Sequence, residues 1–300
     1  MSVSKSDPKT DTGTLGRVTF FDGRGELPVL EITTRWSTAE IYLHGAHVTH
    51  FKKRDEAPLL FLSQCSRFEE HQPIRGGIPI VFPWFGPREG LSQHGFARVK
   101  TWELKEFTPA LDGSVSVRFR LPDCPEASAF PAFTADYTVT VDECLTLQLA
   151  VSNDSKEEFT FEDCLHTYFE VGDITAVSIH GLKGAQYLDK ADNFARKTEA
   201  SDAIRIASEV DRTYLDTSGA VEVLDPRLGR TIRIEKQGSA STVVWNPWID
   251  KAQQMPDFGN EEFEQMLCIE SGNVASNAIK LPPGSKATLK VKLSTKTLAG

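Results

Sequence analysis

Hydrophobic and polar residues alternate at every second position in several stretches of this chain. Successive side chains of a β-strand point to opposite faces of a sheet, so this period predicts strands that are buried on one face. The pattern occurs at 29–34, 40–44, 114–120, 137–141, 145–151 and 287–293. Strands are therefore expected along almost the whole chain.

Residues that favour turns separate these stretches, and patterns typical of long helices are scarce. The turn signals include Asp112-Gly113, Asn153-Asp154, Leu228-Gly229 and Pro282-Pro283-Gly284. Only 200–208 and 261–266 suggest helices, and both are short. Because strands and helices do not alternate, we predict an all-β fold, a large antiparallel β-sandwich with few short helices.

The domain organisation follows from the even spread of these strands. No repeat and no low-complexity linker divides the chain, so we predict that 17–297 forms a single domain. Residues 1–16 are mostly polar and lack the apolar segment of a secretion signal, so a flexible tail is expected there. The longest apolar stretch, 76–86, is about half as long as a transmembrane helix, which argues against a membrane protein.

The cysteines and the composition indicate an ordinary globular protein of a reducing compartment. Of its 300 residues, 40% are hydrophobic and 25% are charged. The cysteines are odd in number and widely spaced, which fits neither a disulfide framework nor a metal-binding CxxC pair. They stand at positions 65, 124, 144, 164 and 268. We expect a cytoplasmic location and a monomer.

The net charge of −9 argues against nucleic acid or an anionic membrane as the main partner. A small anionic substrate would instead require a local basic region. Residues 67–100 form such a region, with five basic side chains against three acidic ones. An excess of two positive charges also arises by chance, so only the motifs in the region can indicate whether it binds an anion.

The stretch 73–98 contains the sequences PIRGGIPIVFPWFGPR and QHGFAR, the least generic part of the chain. Gly76 and Gly77 would let the backbone approach a ligand closely, and the prolines stiffen the loop. Arg75 and Arg98 offer planar donor groups that suit phosphate or carboxylate. These features predict a rigid anion-binding rim, although a structural loop with solvated arginines would show the same pattern.

Two further segments place polar side chains among apolar strand residues. In FEDCLHTYFE (161–170), the strand period places His166 on the same face as Cys164 and Tyr168. In QMLCIESG (265–272), an apolar strand ends with Glu270 next to an expected turn, and a buried carboxylate needs a partner or a chemical role. Taken singly, a histidine or glutamate in a strand is more often structural than catalytic.

Six ordered motifs together resemble a known family. They are IRGGIPIVFPWFG, QHGFAR, HTYF, VDRTY (210–214), VWNPW (244–248) and CIESG (268–272). The chain resembles the galactose-mutarotase-like superfamily from about residue 17 to 297, and within it the hexose-6-phosphate (glucose-6-phosphate 1-epimerase) branch. The resemblance implies a β-supersandwich with an open carbohydrate cleft and a hexose phosphate as the small-molecule partner.

The resemblance also implies roles for the matched positions. His166 matches the catalytic general acid of the family, and Glu270 matches its general base. The remaining matches are substrate-binding: Gln93, His94 and Asp211 for sugar hydroxyls, and Arg75 and Arg98 for the phosphate end. Ser271 departs from the proline that this branch more often carries, a change expected to alter turn rigidity but not the role of Glu270.

The implied reaction exchanges the anomers by opening and closing the sugar ring. Glu270 would take the proton of the C1 hydroxyl while protonated His166 donates to the ring oxygen. This chemistry needs no metal and no cofactor. Separately, Trp245 or Trp248 could stack on a sugar face. A nearby carboxylate and the substrate phosphate favour the imidazolium, so the pKa of His166 is expected above its ordinary value of about 6.5.

Three other interpretations stay open. His44, His47 and His50 stand at a spacing that invites a metal site, but a strand would turn His47 away from the other two. A non-catalytic carbohydrate-binding protein could share the fold, since fold alone does not determine function. A mutarotase of unphosphorylated aldoses would need the same acid–base pair.

Overall fold

The computed structural model describes residues 16–298, so nearly all of the predicted tail lies outside the described residues. In chain order the strands are β1 (Arg17–Asp22), β2 (Pro28–Thr33), β3 (Ser37–Tyr42), β4 (His47–Lys53), β5 (Ile80–Val81), β6 (Glu103–Pro109), β7 (Val115–Arg120), β8 (Phe133–Val141), β9 (Leu145–Asn153), β10 (Phe159–Phe161), β11 (Asp163–Leu165), β12 (Tyr168–Glu170), β13 (Ser178–His180), β14 (Gln186–Asp189), β15 (Ala195–Thr198), β16 (Val210–Leu215), β17 (Val221–Asp225), β18 (Arg230–Gln237), β19 (Ser241–Asn246), β20 (Met266–Asn273), β21 (Ile279–Leu281) and β22 (Lys286–Thr297).

Helical structure in this part of the chain is confined to short segments. One α-helix, α1, spans Trp248–Gln253. The 3-10 helices span Arg24–Glu26, Ala97–Val99, Ala127–Ala129, Lys190–Asp192, Glu262–Gln265 and Ala275–Asn277. No helix among residues 16–298 has the length and hydropathy needed to cross a bilayer.

The strands pair in antiparallel sheets, which confirms the predicted all-β class. Two sheets have eight strands each. The front sheet runs in the order β15-β14-β16-β19-β20-β11-β5, with β12 also paired to β20, and the back sheet runs in the order β13-β17-β18-β22-β9-β8-β7-β6. Strands β1 to β4 form a third sheet, and β10 pairs with β21.

All six stretches predicted from alternation are strands, because each has one apolar face that a sheet can bury. They correspond to β2, β3, β7, β8, β9 and β22. Of the two suggested helices, 261–266 contains the 3-10 turn Glu262–Gln265, whereas 200–208 is irregular. The sequence pattern did not predict α1, a helix of less than two turns that is too short to show a helical period.

The main core lies between the front and back sheets. One buried cluster contains Ile269 of β20 and Val244 of β19 together with Val223, Ile232 and Leu147 from the back sheet. The alternate side chains of β19 and β20 belong to a second cluster on the opposite face of the front sheet. That opposite face carries the cleft described next.

Candidate active site

A cleft of about 450 Å³ opens on the outer face of the front sheet. This volume is in the range of sites for small molecules. All seven residues predicted to act in catalysis or binding line it: Arg75, Gln93, His94, Arg98, His166, Asp211 and Glu270. Tertiary folding therefore brings together residues from widely separated segments.

Alternation along β20 places the Glu270 side chain in the cleft. Leu267 and Ile269 point into the core between the sheets, whereas Met266 and Cys268 pack on the cleft side. Glu270 continues the second series, so its carboxylate faces the cleft. The side chain is only 1% exposed.

The strand does not end at Glu270, contrary to the expected turn. β20 continues to Asn273, and Ser271 pairs with Thr242 on one side and Leu165 on the other. Gly272 permits this continuation, because a Cβ there would lie 2.3 Å from the Asp163 carbonyl oxygen. Ser271 is a buried residue inside a strand, so its effect on turn rigidity does not arise.

His166 lies at the break between β11 and β12. Its backbone N–H donates to the Pro79 carbonyl oxygen at 3.1 Å, and the N–H of Tyr168 donates to the Gly77 oxygen at 2.9 Å. Residues 77–79 thus form backbone hydrogen bonds with the segment around His166, on the edge opposite the one that pairs with β20. The predicted shared face is confirmed, since the ring of Tyr168 stacks on that of His166 at 4.7 Å.

His166 and Glu270 form a buried acid–base pair. Nε2 of His166 lies 3.2 Å from Oε1 of Glu270. Burial raises the pKa of the Glu270 carboxyl to about 8. Burial, together with the positive charges near the ring, lowers the pKa of His166 well below its ordinary value. The expectation of a raised histidine pKa was wrong for this structure, because desolvation of the imidazolium outweighs the adjacent carboxyl group.

His94 packs edge-on against His166, with the ring centroids 5.7 Å apart. Its Nδ1 accepts a hydrogen bond from the Gly86 N–H at 3.2 Å, and burial lowers its pKa well below the ordinary value. The ring is therefore neutral with its proton on Nε2, so Nε2 cannot also accept from the Gln93 amide nitrogen 3.2 Å away. This arrangement makes His94 a hydrogen-bond donor toward the cleft.

Arg75 is already engaged by protein groups. Its Nη1 donates to the Tyr168 hydroxyl at 3.0 Å, and its Nε and Nη2 donate to the Asp257 carboxylate at 3.2 and 3.3 Å. Asp257 offsets much of its charge. Arg75 thus fixes the tyrosine that stacks on His166, and it lines the cleft with two N–H groups that these bonds leave over.

Arg98 is half-buried and carries a positive charge without a carboxylate partner among residues 16–298. Its Nη2 donates to the Gln93 carbonyl oxygen at 2.7 Å, and its Nε has no hydrogen-bond partner there. Burial lowers its pKa to about 10, so the guanidinium is still charged at neutral pH. A partly desolvated cation without a carboxylate partner is stabilised when an anion joins it, which makes Arg98 suited to bind one.

Near Asp211, the cleft is lined by two lysines, Lys190 and Lys251, that the sequence analysis did not predict as site residues. Oδ1 of Asp211 accepts from Lys190 Nζ at 3.2 Å, and the same ammonium group lies 4.5 Å from the centre of the Phe85 ring. Lys251 also lines the cleft. Nothing in the local sequence distinguishes these lysines from the other basic residues of the chain, so only the fold identifies them.

Gly76 and Gly77 allow neighbouring backbone segments to pack closely, and they do not bring the backbone close to a ligand. The interpretation made from the sequence was therefore wrong on this point. Neither lines the cleft. A Cβ on Gly76 would lie 2.6 Å from the Phe61 carbonyl oxygen, and one on Gly77 would lie 2.3 Å from that of Val48. Both have positive φ, +114° and +60°, which glycine adopts without steric cost.

The three histidines that suggested a metal site do not converge. Their Nε2 atoms contact separate groups: the Gln72 carbonyl oxygen for His44, the Gly76 carbonyl oxygen for His47 and the Thr38 hydroxyl for His50. Within the described part of the chain, the cluster with metal-ligand spacing is His166, Cys268 and Glu270, whose donor atoms lie within 4.8 Å of one another. Burial raises the pKa of the Cys268 thiol well above its ordinary value, and a protonated thiol is a poor ligand.

The two tryptophans considered for sugar stacking occupy different places. Trp245 lines the cleft, with its ring centroid 6.0 Å from that of His166. Trp248 begins α1 and packs against Phe263 at 5.3 Å, and it does not line the cleft. Trp245 is thus the tryptophan with access to a ligand.

Comparison with known proteins places this cleft in a family context. The model of the aldose 1-epimerase family matches residues 28–294, nearly the full length of the described chain. The chain belongs to the aldose 1-epimerase family. It is accordingly an isomerase whose substrate is a small sugar, and the predicted relationship to mutarotases is confirmed.

Three relatives illustrate the relationship within the aldose 1-epimerase family. A Cenchrus ciliaris protein named "Putative glucose-6-phosphate 1-epimerase" is 37% identical over 267 residues, 85% of this chain and 80% of that protein. An Escherichia coli K12 protein of the same name is 33% identical over 249 residues, 82% of this chain and 83% of that protein. The crystal structure of a Salmonella typhimurium "putative mutarotase" has a TM-score of 0.84 at 28% identity, covering 90% of this chain and 91% of that one.

Proposed function

We propose that this aldose 1-epimerase interconverts the α and β anomers of a hexose 6-phosphate, with Glu270 and His166 as the acid–base pair. The family supports the isomerase chemistry. The observation that supports a phosphorylated substrate is Arg98, a half-buried guanidinium that lines the cleft and has no carboxylate partner within residues 16–298. Both sequence relatives carry the name of an enzyme that acts on glucose 6-phosphate.

Anomer exchange needs one base and one acid on the two oxygens of C1. In the proposed mechanism, the Glu270 carboxylate takes the proton of the C1 hydroxyl, and the His166 imidazolium donates a proton to the ring oxygen. The C1–ring oxygen bond breaks and the aldehyde forms. Rotation about the C1–C2 bond and the reverse transfers then close the ring as the other anomer.

The pKa directions fit a pair that shares one proton. Near neutral pH the proton resides on Glu270 and His166 is neutral, which is the protonation state reached once the ring has opened. Transfer of that proton across the 3.2 Å contact between Oε1 and Nε2 produces the form that opens the ring. The same pair can therefore serve both opening and closure.

Four cationic side chains line the cleft around this pair. Arg98 and Lys190 supply the charge for the phosphate in this proposal, with Arg75 contributing the N–H groups that Asp257 and Tyr168 leave free. Gln93, His94 and Asp211 bind sugar hydroxyls. Trp245 offers its ring to a C–H face of the sugar.

The proposal is tested by the exchange rate between anomers in equilibrium solutions of glucose 6-phosphate and of glucose, followed by exchange NMR. We expect the enzyme to accelerate exchange of the phosphate ester, with kcat/KM about tenfold or more above that for glucose. Equal values for the two sugars would contradict the phosphate specificity while leaving the mutarotase chemistry standing. No acceleration for either sugar would contradict the whole proposal.

A further inference from the structure

The turn between β14 and β15 lies beside the cleft and is crossed by ion pairs. Lys197 bridges the two ends of the turn, with its Nζ 2.8 Å from Asp189 Oδ2 and 2.7 Å from Asp192 Oδ2. Lys190, in the same turn, is tied to Asp211 of the neighbouring strand β16. These ion pairs connect the turn to both of its strands and to β16.

Phe194, the last residue of this turn, has two energetically unfavourable features: an exposed hydrophobic side chain and a positive φ. The residue is 62% exposed although it is a large hydrophobic residue. Its φ is +60°, directly after Asn193 with φ +48° and ψ +42°, so two consecutive residues other than glycine have positive φ. Bulky side chains rarely occur there, and strain of this kind concentrates at functional sites.

The position of Phe194 in the cleft suggests a function for this exposed, strained residue. Phe194 is among the residues that line the cleft. Exposure increases outward along the cleft: Glu270 and His166 are buried, Lys190 is half-buried and Phe194 is exposed. Phe194 therefore lies at the mouth, and the acid–base pair lies at the floor.

We infer that Phe194 is a substrate-binding residue whose ring packs on the C–H groups of the hexose phosphate at the end remote from C1. The inference rests on the proposed function, which places C1 at the floor beside His166 and Glu270. Aromatic rings bind the apolar faces of sugars by burying C–H surface. Since this contact is remote from the reacting atoms, it strengthens ground state and transition state alike and acts on KM rather than kcat.

The test compares three variants of the full chain. Phe194→Ala and Phe194→Asn remove the ring, and Asn tolerates the left-handed conformation better than Phe. Phe107→Ala is the matched control, because Phe107 is 53% exposed on β6 of the back sheet and does not line the cleft. Kinetics of anomer exchange, the Kd of glucose 6-phosphate by calorimetry and the Tm are measured for each.

Both Phe194 variants should raise KM and Kd roughly fivefold, with kcat within about twofold of wild type. The Tm of Phe194→Asn should equal or exceed that of wild type, which a structural role of the ring would not allow. Phe107→Ala should leave KM and Kd unchanged.

Three results would overturn the inference. A wild type that exchanges anomers, combined with Phe194 variants whose KM and Kd match those of Phe107→Ala, would refute it and leave the proposed function intact. A lowered Tm with a parallel loss of kcat would assign Phe194 a structural role instead. A wild type that neither binds nor exchanges glucose 6-phosphate would refute both proposals together.

Discussion

Nε2 of His166 and Oε1 of Glu270 are 3.2 Å apart at the floor of the cleft, although the residues belong to distant segments of the chain. Each is held by backbone pairing, Glu270 within β20 and His166 between β11 and β12. The burial that moves their pKa values in opposite directions is thus a property of the sheet, and it makes both activity and stability depend on pH.

Replacing either member of the pair should abolish most of the catalysis. We expect His166→Asn and Glu270→Gln each to lower kcat by about two orders of magnitude or more, because each removes a group that transfers a proton. Anomer exchange measured by NMR checks this, with circular dichroism to verify the fold. Activity within about tenfold of wild type in a folded variant would refute the assignment.

The pH dependence of kcat/KM should be bell-shaped. Above about pH 8 the pair loses its single proton, because burial places the pKa of Glu270 there, and no acid is left to protonate the ring oxygen. At low pH both groups are protonated and no base is left. Because a phosphate ester also titrates near pH 6, the alkaline limb is the informative one. A rate that climbs steadily from pH 6 to 10 would contradict the mechanism.

Removal of the Arg98 guanidinium should lower the activity on a phosphorylated sugar more than the activity on the free sugar. Arg98→Ala is expected to lower kcat/KM for glucose 6-phosphate roughly 10- to 100-fold, and that for glucose much less, since only the ester forms charge-assisted hydrogen bonds with it. Arg88→Ala is the control, because Arg88 lies over the Trp84 ring and does not line the cleft. Equal losses for both sugars would show that Arg98 supports structure instead.

Glu270→Gln should stabilise the fold increasingly as pH rises. The folded-state pKa of Glu270, about 8, lies above its ordinary value of 4.5, so burial of the neutral carboxyl favours folding at low pH and this contribution is lost as pH rises toward 8. The amide has no such loss. We expect the variant to gain on the order of 4 kcal/mol over wild type at pH 9 relative to pH 4.5, because each unit of the pKa difference is worth about 1.4 kcal/mol. Urea unfolding at several pH values measures this, and a pH-independent difference would contradict the buried, protonated state.

A side chain at Gly77 should damage both stability and activity. Gly77→Ala would strain a positive φ and place a Cβ 2.3 Å from the Val48 carbonyl oxygen, displacing the segment that bonds to the backbone of His166. We expect a loss of roughly 2 to 4 kcal/mol in unfolding free energy together with a lower kcat. Gly90→Ala, at a positive φ in open space, should cost only about 1 kcal/mol and leave kcat unchanged. Similar effects of the two substitutions would show that the close contact is unimportant.

The sequence alone determined the fold class and the residues around which the cleft is built. A period of two is a local property, because each strand needs one apolar face, and it is visible without knowledge of partner strands. The same period placed His166 on the face of Cys164 and Tyr168. The extent of β20 beyond Glu270 was not visible in this way, because it depends on pairing with β19 and β11 on both sides.

The tertiary structure alone decided the electrostatics of the site. Whether Arg75 or Arg98 retains an unpaired charge depends on Asp257, which lies far away in sequence and reaches only Arg75. The pKa directions of His166 and Glu270 follow from how completely the fold removes both from water, a quantity that no local pattern encodes. Lys190 and Phe194 enter the cleft because β14 pairs with β16, so their positions are consequences of long-range strand order rather than of the residues beside them.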